Sequence, residues 1–267
     1  MTFALSFLLL FLALWAIFYA TLPLLERLLG RAAHWTTKFR YRDYLPVVII
    51  LAVGIGAAIA AGDAFLDLAE LVHEQSPELQ RIDGETHTWA RTAYTDGSTR
   101  FFTAMTLIGT PVGLGALLAI VVALLAMRKR WRWAGYLVFT TAVGGLLNLA
   151  LKSFFARARP DLAEALRHAS GYSFPSGHAM GSTITFLALN YLAFRIIPRW
   201  RGRAAAIAFG VSMIAAIASS RIYLGVHWIS DIAAGIAAGV IWVAFTTVAY
   251  ETFRRIRMIR ALRAKRV

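Results

Sequence analysis

Residues 204–250 read AAAIAFGVSMIAAIASSRIYLGVHWISDIAAGIAAGVIWVAFTTVAY. Two apolar runs, Ala204–Ser220 and Trp228–Tyr250, flank a short junction that holds Ser220, Arg221, His227 and Asp231. An apolar run of about 20 residues spans a hydrocarbon core of roughly 30 Å as a helix. The stretch therefore predicts two membrane-spanning helices with costly polar groups gathered at one end. The first run is rich in Ala, Gly and Ser, small residues that permit close helix packing, and is expected near the centre of a bundle.

The same pattern recurs outward along the chain. Phe101–Met127, Trp133–Leu151 and His178–Ile197 are further runs, and Pro111 is expected to kink the first or mark an unwound start. Pro46–Gly62 is another, with its proline at a tolerated helix start. Phe3–Leu25 lacks a basic leader and is long for a signal peptide, so it reads as a retained span. The 267 residues are 59% hydrophobic, above the roughly half usual in soluble domains. No linker long enough to separate domains intervenes. The fold class expected is all-α, a polytopic transmembrane helical bundle. Residues 1–45 supply an extra N-terminal span and a basic loop, 46–250 a six-span core, and 251–267 a basic tail. Residues 63–100 are polar and mostly acidic. Within them Phe65, Leu68, Ala69 and Val72 recur at helical spacing, which predicts a short amphipathic helix at the membrane interface or, equally, a plain surface helix.

A formal charge of +14 invites a nucleic-acid reading, but the placement of the charge argues against it. Most Lys and Arg fall in 27–42, 128–132, 195–203 and 254–266, with only Glu26, Asp43 and Glu251 among them. The positive-inside rule makes those segments cytoplasmic. With seven spans, the N-terminus and the loops 63–100, 152–177 and 221–227 then lie outside. The partner implied is the lipid bilayer, with the basic tail against anionic lipid, and no nucleic acid. No cysteine is present, which excludes disulfides, thiol catalysis and thiolate metal sites.

Three polar clusters sit at span ends on that outer side. The first is Lys152, Arg157, Arg159 and Pro160. Lys152 alone reads more readily as an anchor snorkelling to the interface. Pro160 disfavours helix at Arg159, so the chain leaves the membrane here and can turn its cations toward one anion. The second is Pro175-Ser176-Gly177-His178 at the start of an apolar helix. Ser176 suits an N-cap, Gly177 allows close backbone approach, and the free N–H groups form an anion site within reach of His178. Alone, this motif is a capped helix with an incidental histidine. In the third, His227 and Asp231 are four apart and share a helix face, so the carboxylate can hold Nδ1–H and leave Nε2 free to attack. Together, cations, two histidines and a helix N-terminus on one face are what phosphoryl transfer requires. Asp161 and Glu164 are the only acids in the 152–177 loop, so no carboxylate cluster suited to Mg²⁺ is expected and no metal is assigned.

Those residues resemble the signature of the type-2 phosphatidic acid phosphatases, or lipid phosphate phosphatases. Lys152 and Arg159-Pro160 match its first part, Pro175 to His178 its second, and Ser220-Arg221, His227 and Asp231 its third, with no departure at any signature position. The resemblance implies that His227 attacks phosphorus to form a phosphohistidine and that Asp231 orients it. His178 then protonates the leaving oxygen and later activates water. Lys152, Arg159, Ser176, Gly177 and Arg221 bind the phosphate, without metal or other cofactor. The expected activity is hydrolysis of a phosphate or pyrophosphate ester of a membrane lipid: phosphatidic acid, phosphatidylglycerol phosphate or a polyprenyl pyrophosphate. The expected location is a bacterial inner membrane with the active site on the periplasmic face. Transfer of the phosphate to an acceptor, with residues 63–100 as a lid, is the alternative. A channel or transporter fits poorly, because no ionisable residue falls mid-span to line a path.

Overall fold

The computed structural model describes residues 12, 13, 16, 20, 45–160, 165, 166 and 169–264. Most of Phe3–Leu25, the basic stretch 27–42, Asp161 and Glu164 lie outside the described residues. The described chain is helical: α1 (Leu45–His73), α2 (Pro77–Thr92), α3 (Asp96–Ile108), α4 (Pro111–Met127), α5 (Trp131–Phe155), α6 (Gly177–Ile196), α7 (Trp200–Tyr223) and α8 (Ile229–Ala264). Trp131–Phe155, Trp200–Tyr223 and Ile229–Arg257 are long and apolar enough to cross a membrane, and α3 with α4 makes a fourth if the bent pair is one span.

Two boundaries differ from expectation in ways that shape the site. Pro46–Gly62 does not end at Gly62, and the segment Phe65–Val72 is not a separate interfacial helix. Both belong to α1, because nothing in Gly62-Asp63 breaks the helix. Phe65, Leu68 and Val72 pack against a buried cluster of Ala69, Phe174 and Ala234. The separate amphipathic helix is α2, which turns Leu79, Asp83 and Ala90 inward. The run Phe101–Met127 has the interruption expected at Pro111. It breaks at Gly109-Thr110 into two helices at 57°. Pro111 starts the second, and the Thr110 side chain caps it by accepting from the Gly113 N–H at 3.0 Å.

Helix α6 is the hub, packed against α5, α7 and α8, while α1 lies along α8. The expected central helix, α7, is well buried, but it shares the middle with α6. Close approach of α8 to α6 depends on Gly235 and Gly239. A Cβ on Gly235 would lie 2.8 Å from the Ser176 carbonyl oxygen, and one on Gly239 would lie 2.7 Å from Thr183 Cβ. This small-residue seam sets the N-terminus of α8 beside that of α6. The Ser176 N–H then donates to the Asp231 carbonyl at 2.9 Å. The ends of α5 and α7 and the α3–α4 break meet at the same end of the bundle.

Candidate active site

A cavity of about 1110 Å³ opens at that end, and Lys152, Arg159, Gly177, His178, Arg221 and His227 all face it. Residues from three helices and two loops, far apart in sequence, thus share one space. The other two expected site residues stand behind its wall. Ser176 is fully buried and caps α6, its hydroxyl accepting from the Ala179 N–H at 3.5 Å. Asp231 is fully buried beneath His227.

The neighbours of His227 determine its tautomer. Arg159 Nη1 lies 3.0 Å from Nε2, and a guanidinium can only donate. Nε2 therefore carries the lone pair, and Nδ1–H donates to Asp231 Oδ2 at 3.1 Å. The Trp228 N–H donates to the same oxygen at 3.0 Å. Burial is the larger influence on the ring. It pushes the pKa of His227 down to about 4, against the pull of the Asp231 hydrogen bond and charge. The imidazole is neutral at ordinary pH, with its lone pair aimed at a cation-lined space. Burial also lowers the Arg159 pKa, with Asp231 opposing, yet a guanidinium stays charged.

The cations are held by uncharged oxygens, mostly of the backbone. Lys152 Nζ donates to the Tyr172 carbonyl at 2.6 Å and to that of Ser173 at 3.3 Å. Arg159 donates to the carbonyls of Gly171, Val226, Ser170 and Tyr172 at 2.7–3.2 Å. Arg221 is 7% exposed and donates from Nη1 to the Thr106 hydroxyl. These neutral acceptors orient the charges without cancelling them. The cavity wall at Gly177 is thin for a steric reason. A Cβ there would lie 2.9 Å from Asn148 Oδ1 and 3.6 Å from Lys152 Cε.

Arg157 is the exception among the expected cations. It turns away from the cavity and pairs with Asp231 Oδ1 at 2.8 Å and Asp83 Oδ2 at 2.7 Å. Thr106 and Asn148 also line the cavity, and sequence reasoning missed both, as it missed Asp83. Asn148 was legible as a polar residue in an apolar run, one turn before Lys152. Asp83 was legible as an acid on the apolar face of α2, between Leu79 and Ala90. Nothing local marks Thr106. Among the described residues, no group of three or more His, Asp or Glu side chains is placed to hold a metal ion.

Comparison with known proteins bears on this geometry. The sequence profile of the PAP2 superfamily matches residues 133–255. Phosphatidylglycerophosphatase B of Bacillus subtilis (strain 168) is 33% identical over 114 residues, covering 42% of this chain and 56% of that protein. The undecaprenyl-diphosphatase of Sulfolobus acidocaldarius is 31% identical over 150 residues, covering 52% of this chain and 66% of that one. The chain spans about half the length of the first curated relatives it matches. The crystal structure of a transmembrane PAP2-type phosphatidylglycerolphosphate phosphatase from Bacillus subtilis superposes with a TM-score of 0.68 at 25% identity. That match covers 73% of this chain and 96% of that one.

Proposed function

Because residues 133–255 of this integral membrane protein match the profile of the PAP2 superfamily, we propose that it is a lipid phosphatase working through a phosphohistidine on His227. The observation that carries the reading is the pair of contacts on the His227 ring. Asp231 takes Nδ1–H, and Arg159, a cation able to bind phosphate, marks where Nε2 points. On substrate binding, Arg159 exchanges His227 for a phosphate oxygen, and Lys152 and Arg221 neutralise the others. The Nε2 lone pair attacks phosphorus as the bond to the lipid oxygen breaks, and His178 gives its proton to that oxygen. His178 then takes a proton from water, the hydroxide displaces His227, and inorganic phosphate leaves. Charge spread over the equatorial oxygens is met by groups already in place, where preorganised electrostatics is most effective.

The shape of the cavity favours a lipid. From the cation-lined end it runs between α4 and α5 past Leu114, Leu118, Leu146 and Leu149, a path suited to a hydrocarbon chain while the headgroup meets Arg159. The site lies at the end of the bundle opposite Arg128–Arg132 and Arg195–Arg203, which the positive-inside rule places in the cytoplasm. We therefore assign it to the outer face of the cell membrane and to lipids exposed there. The relatives' names span a phosphatidylglycerophosphate and a polyprenyl diphosphate. Phosphate release from a panel of these lipids and phosphatidic acid, with EDTA present, tests the proposal. EDTA-tolerant release that vanishes in His227→Ala is the expected result. Release that persists in that variant overturns the nucleophile assignment.

A further inference from the structure

Asp83 lies on α2, outside the segment that matches the family profile, yet it is 2% exposed and makes four polar contacts. Its Oδ2 accepts from Arg157 Nη2 at 2.7 Å, and its Oδ1 accepts from the Ser230 N–H at 3.0 Å. The Ser230 hydroxyl lies 2.9 and 2.7 Å from the two oxygens. Arg157 Nη1 in turn donates to Ser230 Oγ at 2.7 Å and to Asp231 Oδ1 at 2.8 Å. One guanidinium is therefore shared between two buried carboxylates, and one of these holds the His227 ring.

A buried carboxylate is costly unless it is paired and hydrogen-bonded. Here the pairing has an effect beyond offsetting that cost. Asp83 draws off part of the Arg157 charge and so leaves Asp231 more of its own. It also receives a first-turn N–H of α8, the helix that starts just after His227. We infer that Asp83 is a positioning residue for His227, acting through Arg157 and Ser230 to hold Asp231 in place and to set how much negative charge the imidazole feels. The inference rests on the reading of His227 as the nucleophile.

The charged and titratable groups around His227 come from every element packed there. Asp231 is on α8, Arg159 and, one step back, Arg157 on the 156–176 loop, and Arg221 on α7. His178 is on α6, Lys152 on α5, and Asp83 and His87 on α2, behind Trp228. Among the charged groups of the described residues, Arg157 and Asp83 act on His227 through Asp231, and they act in opposite directions. In Asp83→Asn, Arg157 pairs with Asp231 alone, so the imidazolium loses support and the His227 pKa falls. In Arg157→Met, the Asp231 charge is uncompensated and the pKa rises.

The test is an ¹⁵N NMR titration of histidine-labelled protein in detergent, with the His227 resonance assigned by its loss in His227→Ala. Opposite displacements of about one pH unit in the two variants, largely cancelled in the double variant, are the expected result. Lipid phosphate release by Asp83→Asn should fall about 10–10²-fold in kcat with little change in KM, and Asp83→Glu should restore part of it. An unmoved His227 titration in both variants, with only thermal stability lowered, overturns the proposal and leaves Asp83 as packing. Because the titration needs no turnover, it decides the role of Asp83 even if no lipid is hydrolysed. That last outcome would sink the phosphatase reading instead.

Discussion

Helix α8 carries two carboxylates near opposite ends of its span Ile229–Arg257, Asp231 and Glu251, separated by about 30 Å of helix, and both are fully buried. Both are also paired. Asp231 meets His227 and Arg157, while Glu251 meets Tyr191, Arg195 and Arg254. None of the four residues of the Glu251 group borders the cavity. That end is sealed by the rings of Trp133, Tyr136, Tyr191 and Tyr250, which pack at centroid distances of 5.0–5.9 Å. The Asp231 end instead supports a neutral imidazole whose lone pair meets cations across an open space. Buried charge alone thus does not distinguish a reactive end from a structural clamp. The distinguishing features are a neutral imidazole with a free lone pair, a cation-lined cavity, and neutral oxygens that hold the cations without quenching them.

Substitutions at the two ends test this contrast. The largest effect is expected for His227→Ala, which should lower kcat/KM for lipid phosphate release by roughly 10⁴-fold or more while the protein still inserts and unfolds cooperatively. Wild-type turnover in that variant would break the comparison outright. Asp231→Asn should cost about 10²–10⁴-fold in kcat, because the ring loses its oriented tautomer and the charge that supports the imidazolium.

The pH profile sharpens the same point. His227 must be neutral to attack, and burial holds its pKa down to about 4. The acid limb of kcat/KM should therefore have its midpoint near 4, with the rate falling about tenfold per unit as pH drops below it. In Asp231→Asn the acid limb should move lower still, because a negative charge that favours the imidazolium is gone. An acid midpoint at or above 6.5 in the wild type would show that burial does not govern His227.

The smallest effect on turnover belongs to the other end. Glu251→Gln should leave phosphate release within about threefold of wild type while lowering the stability of the folded state by about 1–3 kcal/mol. Thermal unfolding in detergent, run beside the activity assay, reads both. A collapse of activity without loss of stability would mean that the two ends of α8 are coupled and the contrast fails.

Sequence by itself determined the class and pointed to the chemistry proposed. Apolar runs of span length, separated by basic segments, have few physical outcomes other than a helical membrane bundle. The spacing of His227 and Asp231 puts them on one helix face, and Ser176 and Gly177 announce a helix start, because these are local consequences of 3.6 residues per turn. Tertiary structure decided what depends on contacts distant in sequence. Pro111 marked a break, but the 57° bend and the reach of Thr106 to Arg221 follow from how α3 packs across α7. Lys152, Arg157 and Arg159 read alike as cations near an anion site. The signature leaves Arg157 out, and the fold supplies the reason, because Asp83, 74 residues before it, arrives on α2 and takes it away from the cavity. No periodicity links two residues so far apart. The burial that makes both carboxylates need a partner is a property of the assembled bundle, not of any segment of the chain.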